Sequence, residues 1–263
     1  MTTLEIPVVR RHQTGRTPIL GRRAFVEQVM GMPVSVHVRA CEPTRPDIAA
    51  AAERVFAHLR RVDRVLSTWR SDSDLLRLQH GEAEPGEGHE WLAEVTELCL
   101  VAEERTEGLF AAWRAREGGC PTFDPTGLVK GWAVAGAAAH LEVVPEIAWS
   151  INAGGDIAVG TGRGMHDLSP VWRIGIENPG SRGRIGEVVA LAGGAVATSG
   201  SASRGAHVVD PRTGVAIDRP GSVTVVGPDL LWADVWATAA WVDADAVEAL
   251  LHSRDPEYRL IHL

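Results

Sequence analysis

The hydrophobic period of the chain changes once, near residue 148, and that change limits the folds open to it. Before it, apolar residues recur mainly every three to four positions. Residues 45–66 place Ile48, Ala52, Val55, Leu59, Val62 and Leu66 on one helical face, with Asp47 as candidate cap. Residues 90–106 do the same with Leu92, Val95, Cys99 and Ala102. Residues 127–141 read as a third helix, rich in small residues and suited to tight packing against a sheet. One strand precedes them, where Met32 to Arg39 alternates Val34, Val36 and Val38 against Ser35, His37 and Arg39. Short strands split by Gly and Pro turns follow, at Ala148–Ala153, Val171–Glu177, Gly186–Ala192, Ala206–Val209 and Ser222–Val226. A last helix over about 230–251 and a strand at Arg259–Leu263 complete the pattern. Helices gathered early and strands gathered late predict an α+β fold with a mixed or largely antiparallel sheet. The missing β-α-β alternation disfavours a doubly wound nucleotide-binding fold.

Length and charge narrow the function classes. The 263 residues suit one large domain or two intimately packed ones. A formal charge of −8 argues against general nucleic-acid binding, which needs a cationic footprint. Cys41, Cys99 and Cys120 have no C-x-x-C spacing, so neither a disulfide framework nor a structural zinc site follows. The longest clear apolar run, Trp236 to Val242, has seven residues and is too short for a membrane span. Residues 1–23 carry five Arg and no apolar stretch behind either Arg-Arg pair, which predicts a flexible basic arm rather than an export signal and points to the cytoplasm.

Lysine usage singles out one position. Of the 26 basic residues only Lys130 is not an arginine. A position that keeps an ammonium against that bias suits a compact point charge on a phosphate, as distinct from the planar fork of a guanidinium. Lys130 follows Asp124-Pro-Thr-Gly127 at a predicted helix start, and helix N-termini attract phosphate. Asn152-Ala-Gly-Gly-Asp156 follows a strand, so its glycines can bring backbone close to a ligand, and Asp156 could position that ligand or pin the turn. Gly160 to Gly164 has dinucleotide-loop glycines but no helix after them, and is better read as a hairpin loop. Thr198 to Ser203 is rich in hydroxyls and small residues. His207 sits just before the Asp210-Pro-Arg-Thr-Gly214 turn, where it could act as a general base. Asp234 and Thr238 lie four apart on a predicted helix and share a face; a carboxylate plus a hydroxyl suits Mg²⁺ better than zinc.

Taken in order and spacing, these segments resemble the ApbE family of flavin transferases, from about residue 24 to 251. The matching stretches include Met30-Gly31, Leu66-Ser-Thr-Trp69, Thr106-Glu-Gly108, Asp124 to Gly131, Asn152 to Ile157, Thr198-Ser-Gly200, His207 to Gly214, and Ala233-Asp234 through Thr238. The resemblance implies a single flavin transferase domain over 24–263. It implies FAD as substrate with Mg²⁺ on its pyrophosphate. A Thr or Ser hydroxyl of an acceptor protein attacks the phosphorus on the riboflavin side, AMP leaves, and FMN stays attached by a phosphoester. Carried over by position, Asp234, Thr238 and the carbonyl of Gly127 are metal ligands, and His207 is the base. Met30, Trp69, Asp124, Lys130 and Val209 contact FAD, as does the backbone of Leu109, Phe110 and Ala111; Trp69 would be an aromatic wall.

The chain departs from the family pattern at Ala111, where many members have Asp, at Ser203, where many have Tyr, and at Ala237, where some have a second acid. Two alternatives follow: an FAD pyrophosphatase with water as nucleophile, and a non-catalytic FAD-binding module. If the lone lysine is there for its ammonium, Lys130→Arg loses FAD turnover. A variant that matches wild type would empty the compositional argument.

Overall fold

A computed structural model describes residues 20–83, 88–114, 122–165, 170–181, 183–200 and 208–263. Seven strands form one sheet in the order β1-β2-β5-β6-β9-β12-β13. These are Gly21–Val29, Met32–Ala40, Ala148–Ala153, Asp156–Thr161, Gly194–Gly200, Ser222–Gly227 and Arg259–His262. Every neighbouring pair in it is antiparallel. Two-stranded pieces are β3 (Trp113–Arg114) with β4 (Thr122–Phe123), β7 (Trp172–Glu177) with β8 (Ile185–Leu191), and β10 (Val209–Asp210) with β11 (Val215–Ala216). The helices are α1 (Pro46–Leu66), α2 (Asp74–Gln79), α3 (Glu90–Arg105), α4 (Thr126–Glu142), α5 (Leu230–Val242) and α6 (Ala244–Arg254). The architecture is α+β, as the change of period predicts.

Strand alternation builds a core on each face of the sheet. Val34, Val36 and Val38 of β2, Ala195 and Ala197 of β9, and Val223 and Val225 of β12 join the helices in the main core. The intervening Val196 and Val226 join Ile174, Ile176 and Val189 of the β7–β8 hairpin in a second core on the other face. The hydrophobic α5, with eleven of its thirteen residues buried, lies inside the main core.

Several local readings need correction. β1 starts at Gly21, so Arg22 and Arg23 of the basic arm belong to a strand, paired with Arg39 and Val38; residues 1–19 lie outside the described residues. Asp47 stands inside α1, where it accepts from the Ile48 N–H and pairs with Arg45, and Arg45 is the N-cap. The expected helix over 230–251 is two helices. Asp243, at φ −150, ends α5 and caps α6 by accepting from the Ala246 N–H. Gly160 lies within β6 rather than in a loop. Cys41 and Cys99 are free thiols, Cys99 buried and its thiol pushed up to about 12 by that burial, while Cys120 lies outside the described residues. No helix among the described residues is long and apolar enough to cross a membrane.

A polar network fixes α3, α5 and the last strand to one another. The Arg105 guanidinium forms a two-point pair with Asp255, the Trp236 indole N–H donates to Asp255 at 3.1 Å, and Tyr258 donates to Asp229 at 2.6 Å. Asp255 is only 3% exposed, so removing its carboxylate strands two donors. Asp255→Ala should cost about 2–4 kcal/mol in urea denaturation; a loss within experimental error would show the network to be incidental. His58 on α1 and His140 on α4 have ring centroids 6.0 Å apart, and the His58 Nε2 has no partner. Burial, then His140 and Arg61, hold His58 below its ordinary 6.5. Such a group takes up a proton more readily when unfolded, so it costs stability as pH falls below 6.5. His58→Gln should flatten the decline of Tm between neutral and mildly acid pH; an unchanged slope would count against it.

Candidate active site

The site begins with two tight approaches. Gly154 and Gly155 make the two-residue turn between β5 and β6, with φ of +62 and +105, which glycine takes without strain. Asp156 therefore opens β6 with its side chain toward the helices. Gly131 lets α4 touch α5. A Cβ there would stand 2.6 Å from the Leu230 carbonyl oxygen and 3.0 Å from the Asp234 Cβ. Lys130 of α4 and Asp234 of α5 meet at this crossing.

Lys130 Nζ forms an ion pair with Asp156 Oδ2 and stands 3.4 Å from Asp234 Oδ1. The remaining oxygens are used by backbone: Asp234 Oδ2 accepts from the Gly131 N–H at 3.1 Å, and Asp156 Oδ1 from the Thr198 N–H at 3.0 Å. Both aspartates are almost wholly buried, at 1% and 3% exposure. Burial pushes the Asp234 carboxyl well above the usual carboxylate range; Lys130 opposes this and Asp156 adds to it. Thr238 lies one turn beyond Asp234 on α5. A Cβ at Gly127 would come 3.5 Å from Thr238 Oγ1 and 3.0 Å from the Phe110 ring, so the glycine keeps the space before that hydroxyl open.

Gly127, Lys130, Asp234 and Thr238 line a cleft of about 520 Å³, which Asp156 meets only through its pair with Lys130. Its other walls are Leu109, Phe110, Ala111, Trp113, Asp124 and Val209, with Arg114 and Arg212 alongside. The Thr106-Glu-Gly108 turn aims the Leu109–Ala111 segment. Glu107 and Gly108 take positive φ, and the buried Thr106 hydroxyl accepts from the Phe110 N–H at 3.0 Å. Asp124 accepts from the Thr126 N–H and hydroxyl at the start of α4 and pairs with Arg114 at 2.8 Å. Arg212 pairs with Asp210 and Asp243, which ties the β10–β11 turn to the α5–α6 junction.

The cleft thus brings together Leu109, Phe110, Ala111, Asp124, Gly127, Lys130, Val209, Asp234 and Thr238. It does not include Met30 or Trp69. Met30 sits at φ +55 in the β1–β2 turn and packs against the main core, and Trp69 is 92% exposed. His207 and Ser203 lie outside the described residues; Val208, next in the chain, lines the cleft. Trp113, Arg114 and Arg212 were not singled out from the sequence. Arg212 carried a signal in the Asp-Pro-Arg-Thr-Gly turn, whereas nothing local marks Trp113, which reaches the cleft by pairing β3 with β4 and standing 4.9 Å from the Phe123 ring.

The model of the ApbE family matches residues 30–115 and 112–261. A relative from Klebsiella pneumoniae named FAD:protein FMN transferase is 28% identical, over 73% of this chain and 71% of that one. Among solved structures, the ApbE protein of Thermotoga maritima superposes with a TM-score of 0.72 at 19% identity, over 92% of this chain and 94% of that one. The flavin transferase ApbE from Vibrio cholerae does so at 0.71 and 19%, over 92% and 97%. At these identities the structures speak for a common fold, and the match of the family model, which spans most of the sequence, shows that the chain belongs to the ApbE family.

Proposed function

We propose that this protein transfers FMN from FAD to a Thr or Ser hydroxyl of an acceptor protein, with release of AMP. The observation that carries the reading is the cleft itself. It sets a lysine ammonium, held between two buried carboxylates, in the same wall as aromatic and apolar side chains. A dinucleotide with a charged pyrophosphate and a flat ring system matches that combination. The name of the Klebsiella pneumoniae relative supports the same reading.

The donor set fits Mg²⁺. Asp234, the Thr238 hydroxyl and the Gly127 carbonyl are hard oxygens, and Mg²⁺ characteristically combines one or two carboxylates with waters and substrate phosphates. The open space before Thr238 leaves room for such an ion. No cluster of three or more His, Cys, Asp or Glu occurs among the described residues, so a closed zinc-type cage has no counterpart there. When bound, the ion would neutralise pyrophosphate charge as the phosphorus is attacked.

The chain's own residues supply positioning and charge. Lys130, held by Asp156, offers a fixed ammonium at the pyrophosphate end. The Gly131 N–H orients the Asp234 carboxylate, so little reorganisation is needed when phosphate arrives. Phe110 and Trp113 limit water on the apolar side. His207, on the resemblance, takes the proton of the incoming hydroxyl as its oxygen bonds to phosphorus and the bond to AMP breaks.

Purified protein with FAD, Mg²⁺ and an acceptor should release AMP and gain FMN on the acceptor in equal amounts. Asp234→Ala should lower that rate about 100-fold or more, the scale of removing one charge-stabilising group. AMP release indifferent to both chelator and Asp234→Ala would overturn the proposal; AMP release without any acceptor would make the protein a pyrophosphatase.

A further inference from the structure

A second cationic pocket lies apart from the cleft. Arg22 of β1 and Arg39 of β2 are direct cross-strand partners in the antiparallel register, and His37 follows two residues from Arg39 on the same face. Like charges placed directly opposite destabilise a sheet unless something offsets them. No ion pair reaches Arg22, Arg39 or His37 among the described residues, although the chain as a whole carries a formal charge of −8. Burial, then the Arg22 charge, hold the Arg39 guanidinium below its ordinary value.

The hairpin forms one wall of the pocket. The Arg39 guanidinium stacks 3.9 Å above the Trp172 ring of β7 and donates from Nη1 to the Val171 carbonyl at 3.2 Å. Arg39 Nε and Trp172 Nε1 are both buried and have no acceptor among the described residues. Buried donors without partners are uncommon in native structures, and two at one place ask for an acceptor. The pocket is an open depression of about 270 Å³ and shares no lining residue with the cleft. His37 Nε2 lies 3.1 Å from Ser35 Oγ, which fixes that ring beside the arginines.

We infer that Arg22, Arg39, His37 and Trp172 form an anion site for a phosphate-type oxyanion, either free phosphate or a phosphomonoester. A tetrahedral oxyanion offers several acceptors at once, so it can face two guanidinium groups together. Its charge offsets the Arg22–Arg39 repulsion, and its binding ties the β7–β8 hairpin to the edge strand β1 and its neighbour β2.

The test is Tm against increasing inorganic phosphate, and separately glycerol phosphate, at constant ionic strength, for the full-length protein and Arg22→Gln. Arg22 is exposed, and its replacement leaves the stack on Trp172 in place. Wild type should show a saturable rise in Tm. Arg22→Gln should start as stable as wild type or more so in chloride, lose half or more of the rise, and bind FAD as wild type does. The probe that saturates at the lower concentration names the source of the oxyanion. No rise in wild type would overturn the site, and so would an equal rise in both proteins, which would place the phosphate elsewhere. A variant less stable in chloride would show that the arginine pair is not repulsive.

Discussion

Lys130 holds two buried carboxylates that come from different layers of the fold. Asp156 belongs to the sheet, Asp234 to the central helix α5, and the lysine to α4, which crosses α5 at Gly131. Burying three charges is costly and is offset only when each is paired and its remaining atoms are hydrogen-bonded. That condition is met by backbone: the Gly131 and Thr198 N–H groups take the oxygens that Lys130 does not. Asp234, whose carboxyl burial holds well above the usual range, is the one of the three whose ionised form a bound cation would favour. A cleft built on them accordingly favours a cation near Asp234, and phosphate beside that cation and Lys130.

The close crossing of α4 and α5 makes this arrangement possible, and glycine makes the crossing possible. Any side chain at 131 would strike the backbone of α5. The small residues of α4 are thus explained less by the sheet, against which tight packing was expected, than by the neighbouring helix. The two-core arrangement has a similar local cause. Val196 and Val226 face one way and Ala195, Ala197, Val223 and Val225 the other, so the same strands carry helices on one face and the hairpin on the other.

Elements with an uninterrupted period were legible in advance: β2 by its valines, α1 by its apolar stripe, α3 and α4 to within a residue or so at each end. Elements whose composition imitates something else were not. The start of β1 reads as part of a basic arm because Arg22 and Arg23 stand there, and its pairing with β2 is a tertiary fact; Glu27 on it meets Arg60 of α1 at 2.7 Å. β6 and β9 do not read as strands because Gly, Thr and Ser near their C-terminal ends suggest a loop and a ligand patch, yet their apolar residues are core. The break at Asp243 hid in a hydrophobic run because one aspartate serves as the end of one helix and the cap of the next. In the cleft, Asp234, Thr238, Lys130 and Asp156 could be picked out by chemical type and spacing. Trp113 and Arg114 could not, since only the β3–β4 pairing brings them to it, and the exposed position of Trp69 is equally a property of the folded chain.

The central claim is that Lys130 and Asp156 act as one unit on which the cleft is built. A double-mutant cycle on stability, with Lys130→Met, Asp156→Asn and the pair measured by urea denaturation, tests it most directly. The account predicts single losses that do not add, with a coupling of about 1 kcal/mol or more. Strict additivity would contradict it, because it would mean that the lysine and the buried aspartate stand near each other without depending on each other.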